Sequence, residues 1–316
     1  MPDLNPQQRA AVREVDAPLL VLAGAGSGKT RVITEKIAYL IGERQVSARH
    51  IFAVTFTNKA AREMRERVSK LLKKDDGKGL VVSTFHTLGM RMLRREAKTL
   101  GYKSNFSIFD SQDSLHLIDE ILRKGASAYA SESLRNRISD WKNELVLPLQ
   151  AVKQAENDFE QAAALLYSEY QRNLKPYNAL DFDDLILLPV TLYQRHAEIL
   201  ERWQNRLRYL LVDEYQDTNG AQYALVKLLA GVRGALTVVG DDDQSIFAWR
   251  GAKPENLARL RQDFFNLEVI KLEQNYRCTG RRLKAAHSLI AINTPVFEER
   301  LWSEVGPGEH LRVRAC

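Results

Sequence analysis

The run Leu19 to Thr30, LLVLAGAGSGKT, commits this chain to a buried strand that passes straight into an anion-wrapping loop and then into a helix. Gly24, Gly26 and Gly28 have no Cβ, so the backbone can curl there and turn several N–H groups toward one centre. Lys29 adds an ammonium for β- and γ-phosphates, and Thr30 adds a hydroxyl for Mg²⁺. The pattern meets G-x-x-x-x-G-K-T everywhere except its first position, where Ala23 stands. Downstream, Ile33, Ile37, Leu40 and Ile41 recur at helical spacing, so a helix opens at the loop with its positive end facing the phosphates. A dinucleotide-binding G-x-G-x-x-G is excluded, because Lys29 occupies the place of the third glycine. The expected nucleotide-binding run is therefore Ala23, Gly24, Ala25, Gly26, Ser27, Gly28, Lys29, Thr30 and Arg31.

A lysine–threonine phosphate loop needs acidic partners, and the strand-like Tyr209 to Val212 delivers Asp213-Glu214-Tyr215-Gln216-Asp217. Asp213 is assigned to Mg²⁺ through its water shell, and Glu214 to orienting and deprotonating the attacking water. Another strand, Leu236 to Gly240, leads into DDDQSIFAWRGA, where Gln244 suits sensing a γ-phosphate or positioning water. Phe247 and Trp249 suit stacking on bases, and Arg250 a phosphate. LEQNYR, at Leu272 to Arg277, supplies Tyr276 for adenine stacking and Arg277 as a candidate arginine finger. Near the start, LNPQQ places a glutamine amide, donor and acceptor together, just upstream of the loop.

Two further strands, Ile51 to Thr55 and Leu80 to Ser83, end in Phe56-Thr57-Asn58-Lys59 and in Ser83-Thr84-Phe85-His86. Ligands of open parallel sheets lie at the carboxyl ends of strands, so hydroxyls and cations there suit a single strand's phosphates while Phe56 stacks a base. Phe56 and Phe85 equally suit a core, and His86 a satisfied interior histidine. From Thr87 to His196 the strand rhythm stops. Leu115 to Lys124, Ser133 to Leu145 and Ala151 to Leu174 read as helices of an inserted helical subdomain. In Leu180-Asp181-Phe182-Asp183-Asp184, the three carboxylates are expected to cap the apolar helix that follows rather than to hold a metal.

Of the 316 residues, 45% are hydrophobic and 27% charged, as in globular proteins. No apolar run approaches the ~20 residues that cross a membrane, and MPDLNPQQ lacks a signal-peptide core, so a cytoplasmic location is expected. Cys278 and Cys316 are expected to be free thiols. The net charge of +6 is unevenly spread: Lys59 to Lys103 holds thirteen Lys/Arg against five Asp/Glu, and Lys271 to Lys284 five against one. Charge runs are usually solvated helix faces, but here they adjoin aromatic and hydroxyl motifs, which points to nucleic acid.

LNPQQ, AGAGSGKT, TFTNKAA, STFH, LDFDD, VDEYQD, GDDDQSIFAWRGA and LEQNYR, in this order, resemble the superfamily 1 DNA helicases of the Rep/UvrD type across nearly the whole chain. The resemblance implies an α/β fold, a RecA-like P-loop NTPase parallel sheet with an inserted all-helical subdomain. It implies a discontinuous first RecA-like domain over 1–86 and 197–277, the helical insertion over 87–196, and the start of a second RecA-like domain over 278–316. It also implies ATP-driven 3′→5′ movement on single-stranded DNA, with ATP and Mg²⁺ as cofactors. Expected partners are single-stranded and 3′-tailed duplex DNA, no membrane, and replication or repair proteins. On this likeness Gln8 and Tyr276 hold adenine, and Lys29 and Thr30 hold phosphate and Mg²⁺. Asp213 and Glu214 catalyse, and Gln244 and Arg277 contact the γ-phosphate. Phe56, Thr57, Asn58, Thr84, His86, Phe182, Phe247, Trp249 and Arg250 line the DNA track. Phe247 stands where the family usually has Tyr, and Cys278 where Ser is usual. The family's later motifs are absent, so an amino-terminal motor part is expected. Its alternative is a module that binds ATP and single-stranded DNA with little turnover.

Overall fold

The structure, a computed structural model, describes residues 3–73, 75–123, 129–245, 251–253, 255–290 and 301–310. In chain order the first elements are α1 (Pro6–Arg13), β1 (Leu19–Ala23), α2 (Lys29–Gly42), β2 (Ile51–Thr55), α3 (Asn58–Leu71) and β3 (Val81–Thr84). Next come α4 (Phe85–Glu96), β4 (Ser107–Phe109), α5 (Ser111–Leu122), α6 (Ser131–Asn143), α7 (Pro148–Gln154), α8 (Asp158–Leu174), β5 (Ala179–Asp181) and α9 (Asp184–Arg195). The chain continues through α10 (Ala197–Arg206), β6 (Tyr209–Val212), α11 (Gly220–Ala230), β7 (Leu236–Gly240), α12 (Glu255–Asp263), β8 (Glu268–Leu272) and α13 (Gly280–Ile290).

These elements form two units: Met1–Thr84 with Arg202–Thr218 and Leu229–Cys316, and Phe85–Glu201 with Asn219–Leu228. Beyond shifts of a few residues at 85–86 and 197–201, this division differs from the expected one in two longer segments. Residues 219–228 group with the helical unit, where Asn219 Nδ2 donates to Asn143 Oδ1 at 2.7 Å. The segment beyond 277 groups with the first unit, where the Trp302 N–H donates to the Glu273 carbonyl at 2.9 Å.

In the first unit six strands form one parallel sheet in the order β3-β2-β6-β7-β1-β8, with Leu20 of β1 opposite both Val238 and Val269. All five residues of β1, β2 and β7 are buried, as expected of strands covered on both faces. Period two sends Leu19, Val21 and Ala23 to one face. There they meet Ala11 and Val12 of α1, Val32, Ile33 and Ile37 of α2, and Ala61, Met64 and Val68 of α3. The α3 residues recur at i, i+3 and i+7, leaving Arg62, Arg65, Arg67 and Lys70, interspersed with Glu63 and Glu66, to solvent.

Among its described residues the second unit is helical apart from one short parallel pair, β4 with β5, which registers Ser107 opposite Ala179. At three residues each, these strands carry too little alternation to announce themselves. The expected helix from Ala151 to Leu174 is two helices, because Asn157 leaves the helix to cap α8, accepting from the Glu160 N–H at 2.9 Å. Trp141 of α6 stacks on Tyr167 of α8 at 6.4 Å between centroids, amid Leu117, Ile118 and Ile138.

That core also holds a charge. Lys142, wholly buried, donates to Asp181 Oδ2 at 2.6 Å and Asp184 Oδ1 at 2.8 Å, and both carboxylates are themselves nearly or wholly buried. Of the three carboxylates expected to cap α9 only Asp181 does so, its Oδ1 accepting the N–H of Asp184, the first residue of the helix, at 2.9 Å; Asp183 instead accepts from Ser139 Oγ at 2.7 Å, and Asp181 and Asp184 together neutralise Lys142. Their attraction holds the Lys142 pKa well above the usual lysine value although burial opposes it. Among the described residues no helix is long and apolar enough to cross a membrane.

Candidate functional site

Parallel pairing places the carboxyl ends of all six strands along one edge of the sheet. Along that edge β6 ends at Asp213, β7 at Asp241, β1 at the glycine loop and β8 at Glu273, so four motifs distant in sequence become neighbours.

The loop between β1 and α2 is held by its own polar groups. Ser27, fully buried, donates from Oγ to the Gly24 carbonyl at 2.7 Å, and its N–H reaches the same oxygen at 3.2 Å. Gly26 and Gly28 have φ of +78° and +94°, a region that a Cβ makes costly, and Gly28 caps α2 in that conformation. A Cβ on Gly28 would lie 2.7 Å from Gln8 Nε2, so the cradle is filled to its limit. Ala23 ends β1 fully buried, Ala25 is exposed, Thr30 is half-buried, and Arg31 is exposed and faces Asp3 at 3.6 Å.

Gln8 is nearly fully buried, and its Nε2 donates to the Ser27 carbonyl at 2.9 Å. Its Oε1 accepts from the Asn5 N–H at 3.2 Å while Asn5 Oδ1 accepts from the Gln8 N–H at 2.7 Å. Asn5-Pro6-Gln7-Gln8 is thus a capping box with proline in the first turn. One amide N–H and one lone pair of Gln8 remain for a ligand. Lys36 of α2, buried, donates to the Ala11 and Glu14 carbonyls, which ties the end of α1 to the loop's own helix.

On the acidic side, Lys29 Nζ meets Glu214 Oε2 at 3.1 Å. Glu214 adopts φ 50°, ψ 46°, left-handed backbone that costs a non-glycine residue about 1–2 kcal/mol. Gln216, almost wholly buried, donates from Nε2 to the same Glu214 oxygen at 2.9 Å and accepts the Asp241 N–H at 3.0 Å. Asp241 in turn accepts from Gln244 Nε2 and from the Asp243 N–H. Asp213 is 5% exposed, and burial together with the neighbouring Glu214 charge pushes its carboxyl up to about 7, against the pull of Lys29.

The turn after β8 closes over the glycine loop. The Tyr276 N–H donates to the Gly26 carbonyl at 3.0 Å, and Asn275 Nδ2 donates to the Ala25 carbonyl. The Tyr276 ring is exposed, and its hydroxyl accepts from Asn5 Nδ2 at 2.9 Å and donates to Gln274 Oε1 at 2.9 Å. Asn5 therefore links the two residues expected at adenine, Gln8 and Tyr276. Arg277 is exposed.

Of the residues expected at DNA, Phe56 is half-buried, Thr57 caps α3 by accepting the Ala60 N–H at 3.0 Å, and Asn58 is exposed at the first position of α3. Thr84 is buried at the end of β3 in register with Thr55 of β2, which brings those two strand ends side by side. In the second unit His86 and Phe182 pack ring to ring at 5.0 Å, with Phe182 53% exposed and the His86 pKa lowered to about 4 by burial. Phe85 is core. Phe247, Trp249 and Arg250 lie outside the described residues.

Among the described residues no group of three metal-ligating side chains converges. Asp213 with the Thr30 hydroxyl fits the mode in which Mg²⁺ is held by one or two carboxylates, water and substrate phosphates. Asn5, Gln216 and Asn275 were missed by sequence reasoning. The signature N-P-x-Q was available for Asn5; the other two stand inside recognised motifs but act through chain-distant partners.

The family described as UvrD/REP helicase N-terminal domain matches residues 4–265. The ATP-dependent DNA helicase Rep of Escherichia coli (strain K12) is 58% identical over 313 residues, 98% of this chain and 46% of that protein. Rep of Salmonella typhimurium is 58% identical over the same shares of both chains. The ATP-dependent DNA helicase PcrA of Staphylococcus aureus is 46% identical over 98% of this chain and 42% of its own length. The chain spans about half the length of the curated relatives it matches.

Proposed function

This chain belongs to the UvrD/REP helicase N-terminal domain family, and from that premise we propose that it is the ATP-binding, single-strand-gripping part of a DNA helicase motor. The observation that carries the reading is the meeting of Lys29, Asp213 and Glu214 at one edge of a parallel sheet, with Lys29 and Glu214 at 3.1 Å.

In this reading Lys29 and the loop's backbone N–H groups bind the β- and γ-phosphates, and Gln8 and Tyr276 flank the adenine. Asp213 and Thr30 would hold Mg²⁺, which would supply charge neutralisation at the phosphates. Glu214 takes the proton of the attacking water, and Gln216 fixes the carboxylate through Oε2. Gln244 and Arg277 attend the γ-phosphate. Phe56, Thr57, Asn58 and Thr84 at adjoining strand ends, and His86 with Phe182, belong to the DNA track, as do Phe247, Trp249 and Arg250. We assign the whole protein 3′→5′ translocation and unwinding of 3′-tailed duplexes, with replication or repair proteins as partners.

For the chain by itself the reading is narrower: it binds ATP and single-stranded DNA with little turnover. What favours this is that it spans about half of its relatives, and the transition state of phosphoryl transfer needs charge closing in from more than one side. The test compares DNA-stimulated ATP turnover and strand displacement on 3′- and 5′-tailed duplexes for this chain and for the whole protein. Displacement confined to 5′ tails would overturn the polarity, and ATP-driven unwinding by this chain alone would overturn the narrower reading.

A further inference from the structure

We propose that Asn275 is a positioning residue, clamping the Tyr276–Arg277 turn onto the phosphate loop so that Arg277 answers to the presence of a third phosphate. The inference rests on the nucleotide-site reading above and names a residue that it does not contain.

Asn275 is 2% exposed and uses both ends of its amide. Its Oδ1 accepts two backbone N–H groups, from Arg277 at 2.8 Å and Cys278 at 2.7 Å, which is an Asx-type turn. Its Nδ2 donates to the Ala25 carbonyl in the middle of the glycine loop. Two N–H groups on one side and a carbonyl on the other fix which end of the amide is which. The next residue repeats the attachment through the backbone, Tyr276 N–H to the Gly26 carbonyl at 3.0 Å. A Cβ on Gly26 would stand 2.7 Å from Arg277 Cβ and 3.0 Å from Asn275 Nδ2, so the turn and the loop are in contact with no slack between them. A shift of the loop at Ala25 and Gly26 is therefore carried to the base of the Arg277 side chain. Arg277 itself is exposed, and among the described residues only its backbone is held. Removing the clamp leaves the guanidinium chemistry intact and loosens its origin.

The test is the ratio of affinities for the non-hydrolysable triphosphate AMP-PNP and for ADP, measured with Mg²⁺ on this chain. Asn275→Ala loses both ends of the clamp. Asn275→Asp keeps the Oδ1 acceptor for Arg277 and Cys278 but turns a second oxygen toward the Ala25 carbonyl, and Arg277→Ala sets the size of the full effect. We expect a triphosphate preference in the unmodified chain. Both Asn275 variants should bind AMP-PNP about tenfold more weakly, the loss of one charge-assisted hydrogen bond, with ADP affinity nearly unchanged; each leaves buried backbone groups unpaired and should also melt a few degrees early, a loss that by itself does not alter the AMP-PNP to ADP ratio. An unchanged AMP-PNP to ADP ratio in Asn275→Asp would overturn the clamp, as would equal losses for both nucleotides. Failure of the unmodified chain to bind either nucleotide would instead overturn the site reading beneath it.

Discussion

Lys29 Nζ stands 3.1 Å from Glu214 Oε2, so the cation proposed to reach for phosphate and the carboxylate proposed to activate water are joined as one ion pair. The Lys29 side chain is 10% exposed and that of Glu214 38%, which makes the pair partly desolvated and its partners competitors. On the proposed reading a phosphate that takes Lys29 releases Glu214, while Gln216 Nε2, donating to the same oxygen at 2.9 Å, keeps the carboxylate from swinging away.

Replacing Lys29 with alanine leaves phosphate charge unmatched in the loop. Loss of two or more charged hydrogen bonds corresponds to a drop in nucleotide affinity of roughly 10²-fold. Titration with a fluorescent ATP analogue measures it, and unchanged affinity removes Lys29 from the site.

Glu214→Gln keeps shape and reach but cannot accept a proton at neutral pH. Turnover by the whole protein should fall by about 10²- to 10⁴-fold. Nucleotide binding should tighten a few-fold, because the incoming phosphate no longer competes with a charged carboxylate for Lys29. Steady-state rates together with equilibrium binding decide it; near-normal turnover places the base elsewhere.

Phe182 is 53% exposed, and its ring leans on His86 alone among the described ring pairs. Phe182→Ala should weaken single-stranded DNA binding by about 5- to 150-fold, the worth of one stacked base, while leaving the melting temperature nearly unchanged. Anisotropy titration with a labelled oligonucleotide is the measurement. A variant that melts early and still binds DNA normally makes Phe182 structural.

Burial lowers the His86 pKa to about 4 from its ordinary 6.5, so the folded chain holds it neutral while the unfolded chain takes up a proton between those values. Its contribution to stability is complete above pH 6.5 and is lost as pH falls toward 4, by about 3 kcal/mol at most. Urea melts of the unmodified chain and of His86→Gln between pH 4.5 and 7.5 should converge at the acid end. Parallel curves would show that burial does not perturb this ring.

Lys142→Met strands two buried carboxylates and should destabilise the helical unit by about 3–5 kcal/mol. Adding Asp184→Asn should restore part of the loss, since one uncompensated charge then disappears. Denaturant midpoints of the single and double variants provide the comparison, and additive losses would contradict the pairing.

Much of this protein was legible from the chain alone. Ile51–Thr55, Tyr209–Val212 and Leu236–Gly240 are strands at the expected residues, and the loop at Gly24–Gly28 opens a helix at Lys29, because short apolar runs bounded by glycines or polar clusters have few other uses. Chemistry confined to a few consecutive residues, such as the glycine loop and the Asp181 side chain that caps the start of α9, is read in the same way.

What only the tertiary structure decided is which of these pieces meet. Strand order β6-β7-β1-β8 is not written in any local pattern, yet it alone puts Glu214 beside Lys29 and Asn275 beside Ala25, residues 185 and 250 positions apart. No local pattern marks Lys142 as interior; its burial depends on two carboxylates some forty positions away. Local sequence sets backbone preference and side-chain chemistry, each through neighbours a few residues off. The partner of a buried polar group is set by long-range packing, since the cost of leaving such a group unpaired is met by whatever the fold brings within hydrogen-bond reach.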